Sequence, residues 1–250
     1  MSIRSSIEGK SFVNIVTAGH VAEAIGDKEF ALRINTLEGS SAFVGGKDSN
    51  WFRHPTQPSV DVAVLPYSPD HAIFDYKTIP VGMFLTDDLV KQKQIGAGDE
   101  VFITSLFAHV AGSKRNIPIV RTGNIAMMPD ELVPINQGEA EAYLIEARSI
   151  GGLSGSPVIV RETMPVGLGR GHLLGLVQGH WEIPPMGNND LMDKDLSGTV
   201  NMGIAIVVPA KKILEVLNHP DLVKMRAGIE DSMQKQAIGV DETATPNTKT

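Results

Sequence analysis

Three short segments of this 250-residue chain carry side chains able to do chemistry together. The first, Ile15-Val16-Thr17-Ala18-Gly19-His20-Val21, reads as a strand entering a small-residue turn that ends on a histidine. An imidazole titrates near working pH, so one held at a strand end suits a general base. The second, Asp61-Val62-Ala63-Val64-Leu65, places a carboxylate at the start of an apolar strand. Burying a carboxylate alone costs several kcal/mol, so a donor should stand beside it, and His20 could be that donor. The third is Gly151-Gly152-Leu153-Ser154-Gly155-Ser156-Pro157-Val158. Glycines around a serine free the backbone to aim N–H groups at one point beside the hydroxyl, which is an oxyanion hole in outline. Each segment alone also admits a plain structural reading: a histidine satisfied by a turn carbonyl, an aspartate at a solvated strand end, a Gly/Ser hairpin turn.

The elements that must hold these residues are mostly strands. Short apolar or alternating runs separated by Gly, Pro, Asn and Asp recur to about residue 208. They predict strands at 11–17, 30–35, 60–64 (Val60, Val62 and Val64 sharing a face), 101–104, 117–126, 142–147, 157–160, 173–178 and 200–208. A short helical turn is expected at 21–25. A C-terminal helix is expected at 209–217, with Pro209 at its start and His219-Pro220 as its stop. A second helix is expected at 222–236, followed by a tail from Val240 too polar to offset its ordering entropy. The Pro/Gly/Asn/Asp-rich stretch 181–200 reads as a long connection of the kind that lines binding sites. Gly167-Leu168-Gly169-Arg170-Gly171 lacks a nucleotide-binding context and reads as a hairpin turn.

Composition narrows the chemistry. Hydrophobic residues make up 42% and charged residues 20%, so a core should form. The net charge of −7 comes without a Lys/Arg block, which argues against nucleic acid. Without cysteine there is no disulfide, thiolate metal site or cysteine nucleophile. Seven histidines include no His-Glu-x-x-His spacing, and Asp190, Asp193 and Asp195 read as a solvated loop rather than a calcium site. No metal or cofactor is expected. No apolar stretch opens the chain or is long enough to span a bilayer, so no membrane association and a cytoplasmic location are expected if the chain starts where this sequence does. An α/β-hydrolase would need serine, acid, then histidine with a strand-to-helix elbow, and here the serine comes last and runs into a strand.

Thr-Ala-Gly-His, Asp-Val-Ala-Val-Leu and Gly-Leu-Ser-Gly-Ser-Pro, in that order, resemble the signatures of the trypsin/chymotrypsin superfamily, most closely its bacterial trypsin-like domains such as the Deg/HtrA proteases. Gaps of 41 residues between His20 and Asp61 and 93 between Asp61 and Ser154 suit that family. Similarity also lies at 98–103, 175–177 and 203–206, and extends over roughly residues 11 to 218. The resemblance implies an all-β fold of two Greek-key β-barrels, about 1–85 and 95–208, with a helix at 209–218 and a helical extension and tail at 219–250. It implies a serine endopeptidase acting on protein or peptide substrates through an acyl-enzyme. His20 would be general base and acid, Asp61 would fix its tautomer, and Ser154 would attack. The backbone N–H groups of Gly152 and Ser154 would form the oxyanion hole. Val177, Gln178 and Gly179 would border the substrate strand. The alternative is an inactive protein of the same fold that binds extended peptides or acts as a scaffold.

Departures from the family are informative. Leu153 stands where trypsins keep an aspartate for a freed N-terminus, so a constitutively formed site is expected. Ser156 replaces a glycine and is a runner-up nucleophile. Gln178 stands near the place of a serine that supports the aspartate. The selectivity pocket should involve 146–151, 177–180 and the following loop, with Glu146 and Arg148 predicting opposite preferences. Only ten residues precede Ser11 and none matches the Gly-x-Gly-Phe segment usual there, so the first barrel is expected to expose an unpaired edge. Sequence gives no oligomeric state.

Overall fold

The computed structural model describes all residues except 8–9, 47–49, 136–137, 148–151, 163–168, 184–199 and 242–250. In the N-terminal half, β1 (Ser2–Ile7) and β2 (Lys10–Thr17) are followed by helix α1 (Gly19–Ile25), β3 (Phe30–Asn35), β4 (Ser41–Gly46), β5 (Phe52–Arg53), β6 (Ala63–Pro66) and β7 (Ile79–Pro80). The order β5-β6-β2-β1-β7 makes one open sheet, and β3 pairs only with β4. A single bridge, Thr36 to Phe74, extends from the end of that hairpin. The expected closed first barrel is therefore an open sheet with a separate hairpin among the described residues. Among the described residues the expected unpaired edge lies neither on β1, which is an interior strand, nor as a long edge on β5 and β7, which have two residues each, but on the separate hairpin, whose six-residue strands each pair on one side only.

A short helix, α2 (Asp87–Lys93), leads to the second half. Thr86 caps it by accepting the Leu89 N–H, with Asp87 and Asp88 in the first turn and Lys91 and Lys93 in the last. That charge order suits the helix dipole, a signal present in the sequence although no helix was expected there. The strands β8 (Glu100–Leu106), β9 (Pro118–Met127), β12 (Tyr143–Ala147), β13 (Pro157–Arg161), β14 (Gly171–Ile183) and β15 (Val200–Pro209) close a barrel in the order β12-β15-β14-β13-β8-β9. Two short strands, β10 (Val133–Ile135) and β11 (Gly138–Ala140), form a small ladder of their own. Trp181 to Ile183, expected in a loop, belong to β14 and pair with β15 as far as Ile183 opposite Val200.

The run Leu173-Leu174-Gly175-Leu176-Val177 explains how the halves join. Leu174 and Val177 pack with Val101, Ile103, Ile145 and Val158 in one cluster. Leu173 and Leu176 point the other way, into a cluster holding Val16, Val62 and Val64 of the first half and Ile213, Val216 and Leu217 of helix α3 (Ala210–Leu217). Both faces of β14 are thus buried, which is why its sequence does not alternate. Residues 60–65 are likewise all buried: Val60, Val62 and Val64 share the face that enters this cluster, as expected, and the residues between them are buried as well. Each fully buried Leu or Ile contributes about 1.5–3 kcal/mol, enough for this shared cluster to lock the two halves together. Helix α4 (Pro220–Asp241) starts at the proline that ends α3 and runs past the expected 222–236, reaching two residues into the expected tail. Pro220 occupies a first-turn position where a missing N–H costs nothing.

Candidate active site

His20 stands at the second position of α1, just after Ala18 leaves the extended conformation. Its backbone N–H is one of the helix's orphan donors, and Asp61 Oδ1 accepts it at 2.7 Å. The other carboxylate oxygen, Oδ2, lies 2.7 Å from His20 Nδ1. An ionised carboxylate only accepts, so Nδ1 carries the proton in this pair and Nε2 is left as the basic nitrogen. Asp61 is 1% exposed and the His20 side chain 44%, so the acid is sealed while the imidazole faces out.

Ser154 lies in the turn Leu153–Ser156, closed by the Ser156 N–H donating to the Leu153 carbonyl at 2.9 Å. Gly155 has φ +83°, the value a type II turn requires at its third residue, where a side chain would be strained. A Cβ there would also sit 2.5 Å from Thr17 Oγ1 and 3.0 Å from Thr17 Cα. The serine turn is therefore pressed against the strand that leads into His20. Gly155 N–H donates to the Val177 carbonyl at 2.8 Å, tying the turn to β14 as well. Leu153 is buried in the barrel cluster, where the apolar side chain anchors the turn.

The Ser154 hydroxyl donates to the Gln178 carbonyl at 3.0 Å. Among the described residues no hydrogen bond joins it to His20. Gln178 falls in a register shift of β14 between Val177 and Gly179, which turns its carbonyl out of the ladder. Its side-chain Oε1 is buried without a hydrogen-bond partner and does not reach Asp61. The N–H groups of Gly152, at φ +91°, and of Ser154 make no hydrogen bond among the described residues. Beyond Leu176, β14 pairs with β15 but has left β13, so no described strand lies along the other edge from Gln178 onward.

Other expected site residues separate. Ser156 passes its N–H and carbonyl into the turn and the Val177 N–H. Glu146 is exposed on β12, opposite Ile204 and Asn124. Arg148, Asp190, Asp193, Asp195 and most of the expected specificity loop lie outside the described residues. Among the described residues no group of three or more His, Asp or Glu could hold a metal, and no helix is long and apolar enough to cross a membrane. Sequence reasoning missed Arg53, whose Nη1 donates to the Gly19 carbonyl at 2.5 Å. Its only outward signal is the glycine before His20, because its partner is a backbone atom.

No family model matches the chain, and no curated protein does. Among solved structures, the apo MamO protease domain from Magnetospirillum magneticum is similar over 84% of this chain and 90% of its own, at 14% identity and a TM-score of 0.47. A second similar structure is described as aromatic interactions driving the coupled folding and binding of the intrinsically disordered Sesbania mosaic virus VPg protein; there 82% of this chain and 78% of the other are covered, at 15% identity and a TM-score of 0.38. Neither likeness bears on chemistry, which rests on the geometry of the site itself.

Proposed function

We propose that the chain is a serine endopeptidase of the trypsin type, acting on extended protein or peptide segments without a metal or cofactor. The observation that carries this reading is the buried Asp61 gripping His20 by both Nδ1 and N–H while the Ser154 turn is packed on the strand entering His20. In this reading Nε2 of His20 takes the Ser154 proton as Oγ attacks the scissile carbonyl. The tetrahedral oxyanion accepts from the N–H groups of Gly152 and Ser154, and the imidazolium then protonates the leaving amine. Water repeats the sequence in reverse on the acyl-enzyme. The open edge of β14 at Gln178 and Gly179, beside Val177, takes the substrate as an added strand. The peptidase domain is read as 1–218, with its N-terminal sheet and β3–β4 hairpin as an opened form of the first Greek-key barrel and 219–250 as an extension.

One observation favours a second reading, an inactive protein of this fold that holds extended peptides: the Ser154 hydroxyl is engaged by the Gln178 carbonyl and not by His20. The energetics favour the enzyme. A neutral hydrogen bond to a carbonyl contributes about 1 kcal/mol, so freeing the hydroxyl costs roughly tenfold in rate at most, small beside what a histidine-activated serine supplies. A denatured, unstructured protein incubated with the wild type and with Ser154→Ala separates the two. The enzyme reading expects fragments from the wild type only; binding without fragments from either supports the scaffold.

A further inference from the structure

The Gly19 carbonyl and the His20 N–H belong to one peptide group, and the protein holds that group at both ends. Arg53 Nη1 donates to the carbonyl at 2.5 Å, and Asp61 Oδ1 accepts from the N–H at 2.7 Å. A peptide plane fixed at both ends fixes the direction in which the His20 side chain leaves the backbone. That direction decides whether Nδ1 meets Asp61 Oδ2 and where Nε2 points. We propose that Arg53 is a positioning residue for His20, an inference that rests on reading His20 as the general base.

Two further features support it. A Cβ on Gly19 would lie 2.5 Å from Arg53 Cζ and 2.8 Å from Asp61 Oδ1, so the guanidinium lies directly over this residue and only glycine leaves it room. The same placement sets a cation close to a carboxylate that is almost wholly buried, without a direct ion pair between them, and so offsets part of the cost of burying Asp61. A planar guanidinium suits this better than an ammonium, because its donors are held in a rigid array and lose less freedom on bonding.

Arg53 also lines an open pocket of about 430 Å³ with Ala22, Trp51, His54 and Val60. A small cation can therefore reach the space that a shortened side chain leaves. The test compares wild type, Arg53→Ala, Arg53→Gln and Arg53→Lys by the rate at which a fluorophosphonate labels Ser154 and by the ¹⁵N shifts of the His20 ring. A reacting group displaced by an ångström loses on the order of 10²-fold, and Arg53→Ala should lose that much. Its ring should shift from the Nδ1–H tautomer toward Nε2–H. Guanidinium at tens of millimolar should restore most of the labelling rate, whereas tetramethylammonium, a cation without donors, should not. Gln, which can donate to Gly19 without charge, and Lys should fall between. Wild-type labelling and an unchanged tautomer in Arg53→Ala overturn the proposal, as does slower labelling with an unchanged tautomer and no rescue. If Arg53→Ala does not fold, Arg53→Gln and Arg53→Lys carry the same comparison. A wild type that takes no label overturns the peptidase reading, and the tautomer measurement still decides the role of Arg53.

Discussion

Among the described residues three histidines lie against carboxylates, His54 meeting Glu215 of α3 at 2.6 Å, and the two pairs that form within one half each differ in what surrounds the ring. His20 meets Asp61 through Nδ1 and presents its other edge to solvent. His172 meets Glu162 through Nε2 at 2.6 Å, with side chains only 10% and 5% exposed, and its Nδ1 is buried without a hydrogen-bond partner. Lys93 Nζ adds a cation 3.3 Å from Glu162. The second pair is sealed at the far end of the β13–β14 hairpin from Ser154 and ties α2 to the barrel. A histidine bonded to a carboxylate is thus not in itself a functional signal. What distinguishes His20 is a free Nε2 with a serine turn packed beside its strand.

Neutralising each acid in turn should separate the two pairs most strongly. Asp61→Asn should keep the fold and lower peptide turnover by about 10⁴-fold, because the amide can donate to Nδ1 and favour the wrong tautomer. Glu162→Gln should change turnover by no more than about twofold, a bound set by its distance from the reacting atoms. Equal losses from the two changes, measured as kcat/KM on one peptide, would erase the distinction.

A smaller loss is expected from Gly155→Ala, which tests how the serine turn reaches His20. The positive φ and the contact with the Thr17 backbone both oppose a side chain, so stability should fall by roughly 1–3 kcal/mol and labelling of Ser154 should slow. Denaturant melts of the variant measure the first effect directly, and an unchanged midpoint would contradict the close approach.

For the sealed pair the effect is on stability alone. The hydrogen bond from His172 pulls the Glu162 carboxyl below the usual glutamate value, outweighing the upward push of burial, with Lys93 assisting. A carboxyl depressed in the folded state contributes stability that is complete above its unfolded value near 4.3 and is lost as pH falls through the folded value. Glu162→Gln should therefore lower Tm at pH 7, and the gap from wild type should close below about pH 4. A gap that widens in acid would reverse the sign of the coupling. Ser156→Ala should have the least effect of all, since Ser156 serves the turn through its backbone and Pro157 after it offers no donor. Its turnover should stay within about threefold of wild type.

These contrasts also mark what sequence could convey. The long apolar runs located β2, β3, β9, β13 and β15 to within about a residue or two, because burial imposes a pattern over five or more positions. Strands β5, β7, β10 and β11, at two or three residues, carry no period to detect. Closure is equally silent: nothing in residues 1–85 distinguishes an open sheet from a barrel, since that depends on which strands meet at the edges. For the site, the residue types around His20, Asp61 and Ser154 were legible because their chemistry is in the side chains. The Gln178 carbonyl that holds the Ser154 hydroxyl and the Gly19 carbonyl that holds Arg53 were not, because every residue has a carbonyl.

Everything proposed for this site turns on Ser154 being an activated nucleophile. The most direct measurement is to treat the folded wild type, Ser154→Ala and Ser156→Ala with a fluorophosphonate and map the adduct by mass spectrometry. One adduct is expected, on Ser154, present in the wild type and Ser156→Ala and lost in Ser154→Ala. An adduct on Ser156, or none on folded wild type, would contradict it.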